Sequence, residues 1–135
     1  MKEAKVISWF KAFLTRSFPG QYFFYKVNVS PMHGQGFPDL IVILGGSTLF
    51  IEAKAPGKKP TKLQEATLSS MAHAGGHSFT MDAIEGDKRG QGQLRFYNHK
   101  SLADSPRVEA TFDHKTTMPV DEFLDRLGVL DGMNL

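Results

Sequence analysis

Asp39, Glu52 and Lys54 are the residues of this chain whose types and spacing point to chemistry. Two carboxylates offer hard oxygen ligands. In a chain with no cysteine, an oxygen-only set favours magnesium or manganese over zinc. A lysine beside them would stabilise negative charge that grows in a transition state. The spacing gains meaning once Gly36 to Lys54 is read as a β-hairpin. Leu40 to Leu44 is an unbroken apolar run, Gly45-Gly46-Ser47 supplies the turn, and Thr48 to Ile51 resumes the second strand. In an antiparallel pair the start of one strand lies beside the end of the other, so Asp39 meets Glu52 and Lys54. Alternation puts Glu52 and Lys54 on one face and Ala53 on the opposite one. Charges at the rim of an apolar sheet are costly to desolvate, and a ligand there would account for them. Two such apolar strands are expected in the middle of a sheet covered on both faces.

Other elements must bring further groups to that rim. Residues 2 to about 17 predict an amphipathic helix with Val6, Ile7, Phe10, Phe13 and Leu14 on one stripe. Glu3 shares the stripe one turn earlier. It is either an exposed acid favourable at a helix start or a carboxylate turned toward the hairpin. Phe18-Pro19-Gly20 breaks the helix, and Tyr22 to Val27 is an aromatic-rich strand. Ser30 to Gly36 is expected to be a flexible loop whose glycines let the backbone approach a ligand. After the hairpin, Ala55 to Pro60 forms a loop with Lys58 and Lys59. Thr61 opens a helix that stops at Gly75-Gly76, and His77 to Ala83 returns as a strand. Leu94 to Tyr97 and Arg107 to Phe112 are short strand candidates, and Asp121 to Leu130 is a helix with Phe123, Leu124 and Leu127 on its apolar face.

Pro38-Asp39 followed by Glu52-Ala53-Lys54 resembles the signature of the PD-(D/E)xK nuclease superfamily. Gly36-Phe37-Pro38-Asp39-Leu40, the run Leu49 to Lys54, Gln64 and Glu3 are similar in finer detail to the virus-type replication-repair nuclease (VRR-NUC) domain. The similarity covers about Glu3 to Met81. It implies an α/β fold with a restriction-endonuclease-like αβββαβ core, a mixed sheet flanked by helices. At 135 residues the chain has room for one domain, a core of about 1–84 with a C-terminal extension of about 85–135.

The resemblance implies a metal-dependent DNA endonuclease. Asp39, Glu52, Lys54, Gln64 and Glu3 form its catalytic set, and Asp39, Glu52 and the backbone carbonyl of Ala53 hold Mg2+ or Mn2+. Lys58, Lys59 and Lys62 are candidates for gripping the nucleic-acid backbone without reading sequence. Branched DNA such as a four-way junction is the implied substrate, cut by a homodimer that uses the C-terminal third as its interface. Bland alternatives exist for each element. Asp39, Glu52 and Lys54 would also make a salt bridge at a sheet edge. Thr61-Lys62-Leu63-Gln64 fits a capping box, and the lysines fit a solvated loop. The C-terminal apolar residues would equally extend a monomer core. A nonspecific duplex or flap nuclease, or a noncatalytic nucleic-acid-binding subunit, are the competing functions.

The remaining totals narrow the classes. Net charge is +2 and the sequence pI is about 8.9, which permits nucleic acid without requiring it. The absence of cysteine excludes disulfides and thiolate metal sites and fits a reducing cytoplasm. The resemblance also fits a viral or phage-encoded chain acting in its host cell. No segment is expected to span a membrane or to act as a signal peptide, so the Asn28-Val29-Ser30 sequon is taken as chance. His73 and His77 are separated by the two glycines that end a helix. His33, His99 and His114 are expected to be solvated.

Overall fold

The computed structural model describes residues 1–27, 36–99 and 109–130. Its elements run α1 (Glu3–Ser17), β1 (Tyr22–Lys26), β2 (Leu40–Leu44), β3 (Ser47–Ala53), α2 (Lys62–His73), β4 (His77–Glu85), β5 (Gly92–Asn98), β6 (Glu109–Asp113) and α3 (Val120–Arg126). The strands form one mixed sheet in the order β1-β2-β3-β4-β5-β6. β3 and β4 are parallel, and every other neighbouring pair is antiparallel. A parallel pair needs a crossover, and α2 provides it. The α/β class and the opening order α, β, β, β, α, β are therefore present.

Each element has a local cause. α1 buries Val6, Phe10, Phe13 and Leu14 and stops where Pro19 and the left-handed Gly20 (φ 71°) follow. The β2–β3 turn needs two successive left-handed residues, which Gly45 (φ 57°) and Gly46 (φ 80°) supply. A Cβ on Gly45 would come within 2.7 Å of Val120 and 2.9 Å of Leu124, so this turn is wedged against α3. β3 is longer than Thr48–Ile51, taking in Ser47 at one end and Glu52 and Ala53 at the other.

Alternation divides the sheet into two unlike faces. On one, Val42, Leu49, Ile51, Phe79, Met81, Phe96 and Phe112 meet α1 and α3 in a buried core. Rings interlock there: Phe10 with Phe96 at 5.4 Å, Phe13 with Phe123 at 5.3 Å, Phe112 with Phe123 at 5.0 Å. Burying each such side chain stabilises by roughly 1.5–3 kcal/mol. Among the described residues the other face has α2 alone, tied down by Ser78 Oγ donating to the Leu68 carbonyl at 2.6 Å.

Several expectations need correction. The hairpin is not covered on both faces: Phe23, Tyr25 and Ile43 are 56, 51 and 45% exposed on the α2 side. A helix is about 10–12 Å across, and strands lie about 4.8 Å apart, so α2 shields β3 and β4 and leaves β1 and β2 open. The described apolar residues expected to supply an interface from the C-terminal third are not free either. Leu94, Phe96, Phe112, Phe123, Leu124 and Leu127 are buried with α1 in the common core. α3 spans Val120–Arg126 rather than Asp121–Leu130, because Gly128 (φ 78°) ends it while Leu127 and Val129 stay buried. His99 and His114 are not solvated. His99 Nε2 is 2.6 Å from Thr80 Oγ1 beneath the surface, and His114 stacks on Trp9 with ring centres 3.9 Å apart. Gly36 (φ 86°) does allow a close approach, but to α2, since its Cβ would meet Thr67 and Leu63 within 2.9 Å. His33, Gly34, the sequon and Arg107 lie outside the described residues. Among the described residues no helix is long and apolar enough to cross a membrane.

Candidate active site

The site is assembled where β2 starts and β3 ends. Asp39 directly precedes Leu40, whose partner across the ladder is Ile51, so one step outward Asp39 faces the Glu52–Ala53 peptide. The contact is direct: the Ala53 backbone N–H donates to Asp39 Oδ2 at 3.1 Å. In an extended residue the N–H and C=O point to the same side, so the Ala53 carbonyl also opens toward Asp39. Lys54 takes the alternate direction, its backbone N–H donating to the Met81 carbonyl at 2.8 Å. The Asp39 carbonyl accepts from Val27 N–H at 2.7 Å, which fixes the end of β1 with Lys26 beside the same rim.

Glu52 is the centre of the arrangement and is only 2% exposed. Its Oε2 accepts from Gln64 Nε2 at 3.3 Å. Its Oε1 is buried and meets no donor. Burial first, then the neighbouring Asp39, push the Glu52 carboxyl up to about 8. Lys54 opposes the rise, and Glu3 adds to it. Two carboxylates can hydrogen-bond only through a shared proton, so the Asp39–Glu52 contact is a bond when one is protonated and a repulsion when both are ionised.

Glu3 takes the second of its two readings. Most of the residue is exposed, but its carboxyl is raised by loss of surrounding water and by Asp39, with Lys54 and Lys26 pulling the other way. Asp39 is therefore a neighbour of both Glu3 and Glu52. Among the described residues no three His, Asp or Glu side chains form a ready-made metal cage. What is present is a carboxylate pair, a carbonyl directed to the same side and a third carboxyl approaching from α1. An orphaned buried oxygen amid a wholly oxygen donor set fits a hard divalent cation.

Gln64 makes the capping box and also reaches Glu52. Thr61 Oγ1 accepts from Gln64 N–H at 3.1 Å, and Gln64 Oε1 accepts from Thr61 N–H at 2.9 Å, completing a capping box. That leaves Nε2 to reach Glu52. The cap thus holds the amide in the one orientation that presents its donor to the carboxylate.

Lys58 and Lys59 are exposed on the loop after β3, and Lys62 is the first residue of α2. A cation at a helix start opposes the helix dipole, so Lys62 is not there to stabilise α2. Sheet order brings further cations to this end that sequence reasoning missed. Lys5 pairs with Glu85 at 3.1 Å. The β4–β5 turn carries Lys88 and Arg89, and the Lys115 ammonium lies 3.2 Å from the place of a Cβ on Gly90. Strand direction was the signal: every turn between Lys54 and Lys115 that follows a strand running as β3 does falls at this rim. No family model matches the chain, and comparison with curated proteins finds no match, so these residues carry the reading on their own chemistry.

Proposed function

We propose that the chain is a metal-dependent DNA endonuclease that hydrolyses phosphodiester bonds with Mg2+ or Mn2+. The observation that carries this is Glu52: a buried carboxyl with one orphaned oxygen, held against Asp39 and within the field of Lys54. Such an arrangement is unfavourable as a structural device, because a buried acid with one oxygen left without a donor costs stability. It makes sense as a cation site. Asp39, Glu52 and the Ala53 carbonyl would hold the ion, with Glu3 close to Asp39. When bound, a divalent ion lowers the pKa of a coordinated water and offsets charge on the phosphoryl oxygens. Lys54 places its ammonium where that charge grows as the bond breaks. Gln64 holds the Glu52 carboxylate in place. Lys58, Lys59 and Lys62 would anchor backbone phosphates beside the cut.

Selectivity for branched DNA, four-way junctions in particular, is the finer form of the proposal and is supported by the VRR-NUC resemblance. Symmetric nicking would require a homodimer with two equivalent sites, its interface lying outside the buried C-terminal residues.

Incubating the protein with labelled duplex, flap, single-stranded and four-way substrates tests the activity. Cleavage is expected with magnesium or manganese and none in chelator. No cut strand on any substrate, together with an unchanged melting temperature in millimolar magnesium, manganese or calcium, would overturn the proposal. Light scattering decides between 15.0 kDa and twice that mass.

A further inference from the structure

The α2 face of the sheet holds a second depression, next to Glu52, that the reading above leaves without a task. It is a cavity of about 410 Å3. Thr80, Asp82, Arg95 and Tyr97 line it from the sheet, and the loop from Gly57 to Pro60 and Glu65 of α2 complete it. Register fixes its distance from the candidate active site. Thr80 lies opposite Glu52 across the parallel pair, and Tyr97 lies opposite Thr80 across the next pair. Glu52, Thr80 and Tyr97 are thus one row across neighbouring strands, spanning two strand spacings or roughly 10 Å.

The lining combines three chemistries that one kind of ligand unites. Lys58 and Lys59 put cationic groups on the loop side, suited to a phosphate. Tyr97 is half-buried and brings an aromatic ring to the wall. Asp82 and Arg95 form a rigid planar pair on the sheet, Arg95 Nε and one terminal nitrogen donating to the two Asp82 oxygens at 2.7 Å each. A partly buried ion pair of this kind is weak as a stabilising device, since desolvation offsets its attraction. In the lining of a cavity it offers a fixed donor–acceptor edge instead. The volume lies at the lower end of the range for small-ligand pockets, about 300–1,000 Å3, and excludes a duplex.

We propose that this cavity is a subsite for one unstacked nucleotide adjoining the scissile phosphate. The base lies against Tyr97 with its polar edge toward the Asp82–Arg95 pair, and a neighbouring phosphate rests on Lys58 and Lys59. The inference rests on the nuclease reading and adds to it a stacking subsite. Stacking on an aromatic side chain is sequence-tolerant and is worth about 1–3 kcal/mol per base, which corresponds to roughly 5- to 150-fold in affinity.

An abasic site scanned through a single-stranded oligonucleotide tests it, because no base pair has to be opened there. With the wild-type protein and magnesium, kcat/KM is expected to fall by roughly 5- to 150-fold at one position beside the cut and little elsewhere. Tyr97→Leu should lower kcat/KM on the intact oligonucleotide by a similar factor and add no further loss on the abasic one. Tyr97→Phe should restore wild-type behaviour. Melting curves show whether each variant is folded, and the wild-type scan stands without any variant. Equal rates at every abasic position, or additive losses for Tyr97→Leu and the abasic site, would overturn the subsite while cleavage itself leaves the nuclease reading standing. Absence of cleavage on every substrate removes the nuclease reading and the subsite with it.

Discussion

The two faces of the sheet obey opposite rules. Under α1 and α3 nearly all the inward positions are apolar, Asn98 being met by the Leu127 carbonyl, and rings from distant parts of the chain close against one another. Under α2 the corresponding positions are Glu52, Ser78, Thr80, Asp82 and Arg95, and β1 and β2 are left uncovered. The first face supplies stability, and its buried Asn98 amide is satisfied by the Leu127 carbonyl. The second keeps Glu52 largely out of water, which raises its carboxyl and costs stability. Perturbed acids in a cleft are the usual trade between stability and function.

Site substitutions should separate the faces most sharply. Asp39→Ala and Glu52→Ala are expected to lose metal binding and cleavage together. Lys54→Ala should lose cleavage by roughly 10²–10³-fold while keeping metal affinity, a loss like that of one charge-stabilising donor. Glu52→Gln should abolish cleavage yet raise the melting temperature of the metal-free protein, since an amide removes a buried acid that has an orphaned oxygen. Calorimetric titration with manganese and thermal melts read both. Full cleavage by Lys54→Ala would remove the lysine from the mechanism, and a destabilised Glu52→Gln would make Glu52 a structural residue.

The core face should answer in the opposite sense. Phe13 touches Phe18, Phe112 and Phe123 and is wholly buried. Phe13→Ala is expected to cost about 3–5 kcal/mol in urea unfolding, with kcat retained at temperatures where the protein remains folded. A selective loss of kcat without loss of stability would contradict the division between the faces.

How much of this was legible in the sequence follows the same division. The hairpin, both helix breaks and the crossover were readable because each rests on local chemistry: a double glycine, Pro19-Gly20, and a threonine three residues before a glutamine. The rim cluster was readable because antiparallel geometry forces Asp39 and Glu52 together whatever surrounds them. What escaped was long-range. Leu94, Phe112 and Phe123 look the same in sequence whether they face a partner or α1. His99 and His114 appeared solvated because nothing nearby in sequence signals that Thr80 and Trp9 will meet them. The second cavity needs strand order, since Arg95 and Tyr97 come near Lys58 only through β4.

Acidity offers a measure of how strained the second face is. Glu52 is held at about 8 when folded against an ordinary value of 4.5, so between those values the folded state binds more protons than the unfolded one. Stability of the metal-free protein should therefore fall as pH rises from about 4.5 to about 8 and level off beyond. The raised Glu3 works in the same direction. A cation must displace the shared proton, so metal affinity should rise with pH through this window, and millimolar metal should recover stability at its upper end. At a hundredfold excess over Kd, the recovery is roughly 2.7 kcal/mol. Melts of wild type and Glu52→Gln from pH 5 to 9 check the sign. A wild-type slope no steeper than that of the variant would show that Glu52 does not carry the strain.

Gln64 should show the smallest effect on stability, because on the α2 face it serves the helix cap and Glu52 at once. Its Oε1 serves the α2 cap, and its Nε2 serves Glu52. Gln64→Ala removes both and is expected to cost roughly 0.3–1.5 kcal/mol through the cap, with a drop in kcat. Gln64→Glu keeps an acceptor for the Thr61 N–H, and its charge suits a helix start, so the cap and the melting temperature should recover. It replaces the donor that meets Glu52 with a second carboxylate, so kcat should not recover. The pair of variants therefore separates folding from chemistry at one position. If Gln64→Glu restores activity along with stability, the amide matters only as a cap and leaves the catalytic set. If neither variant changes the melting temperature while both reduce kcat, the cap is the dispensable half and the contact with Glu52 is what this glutamine provides.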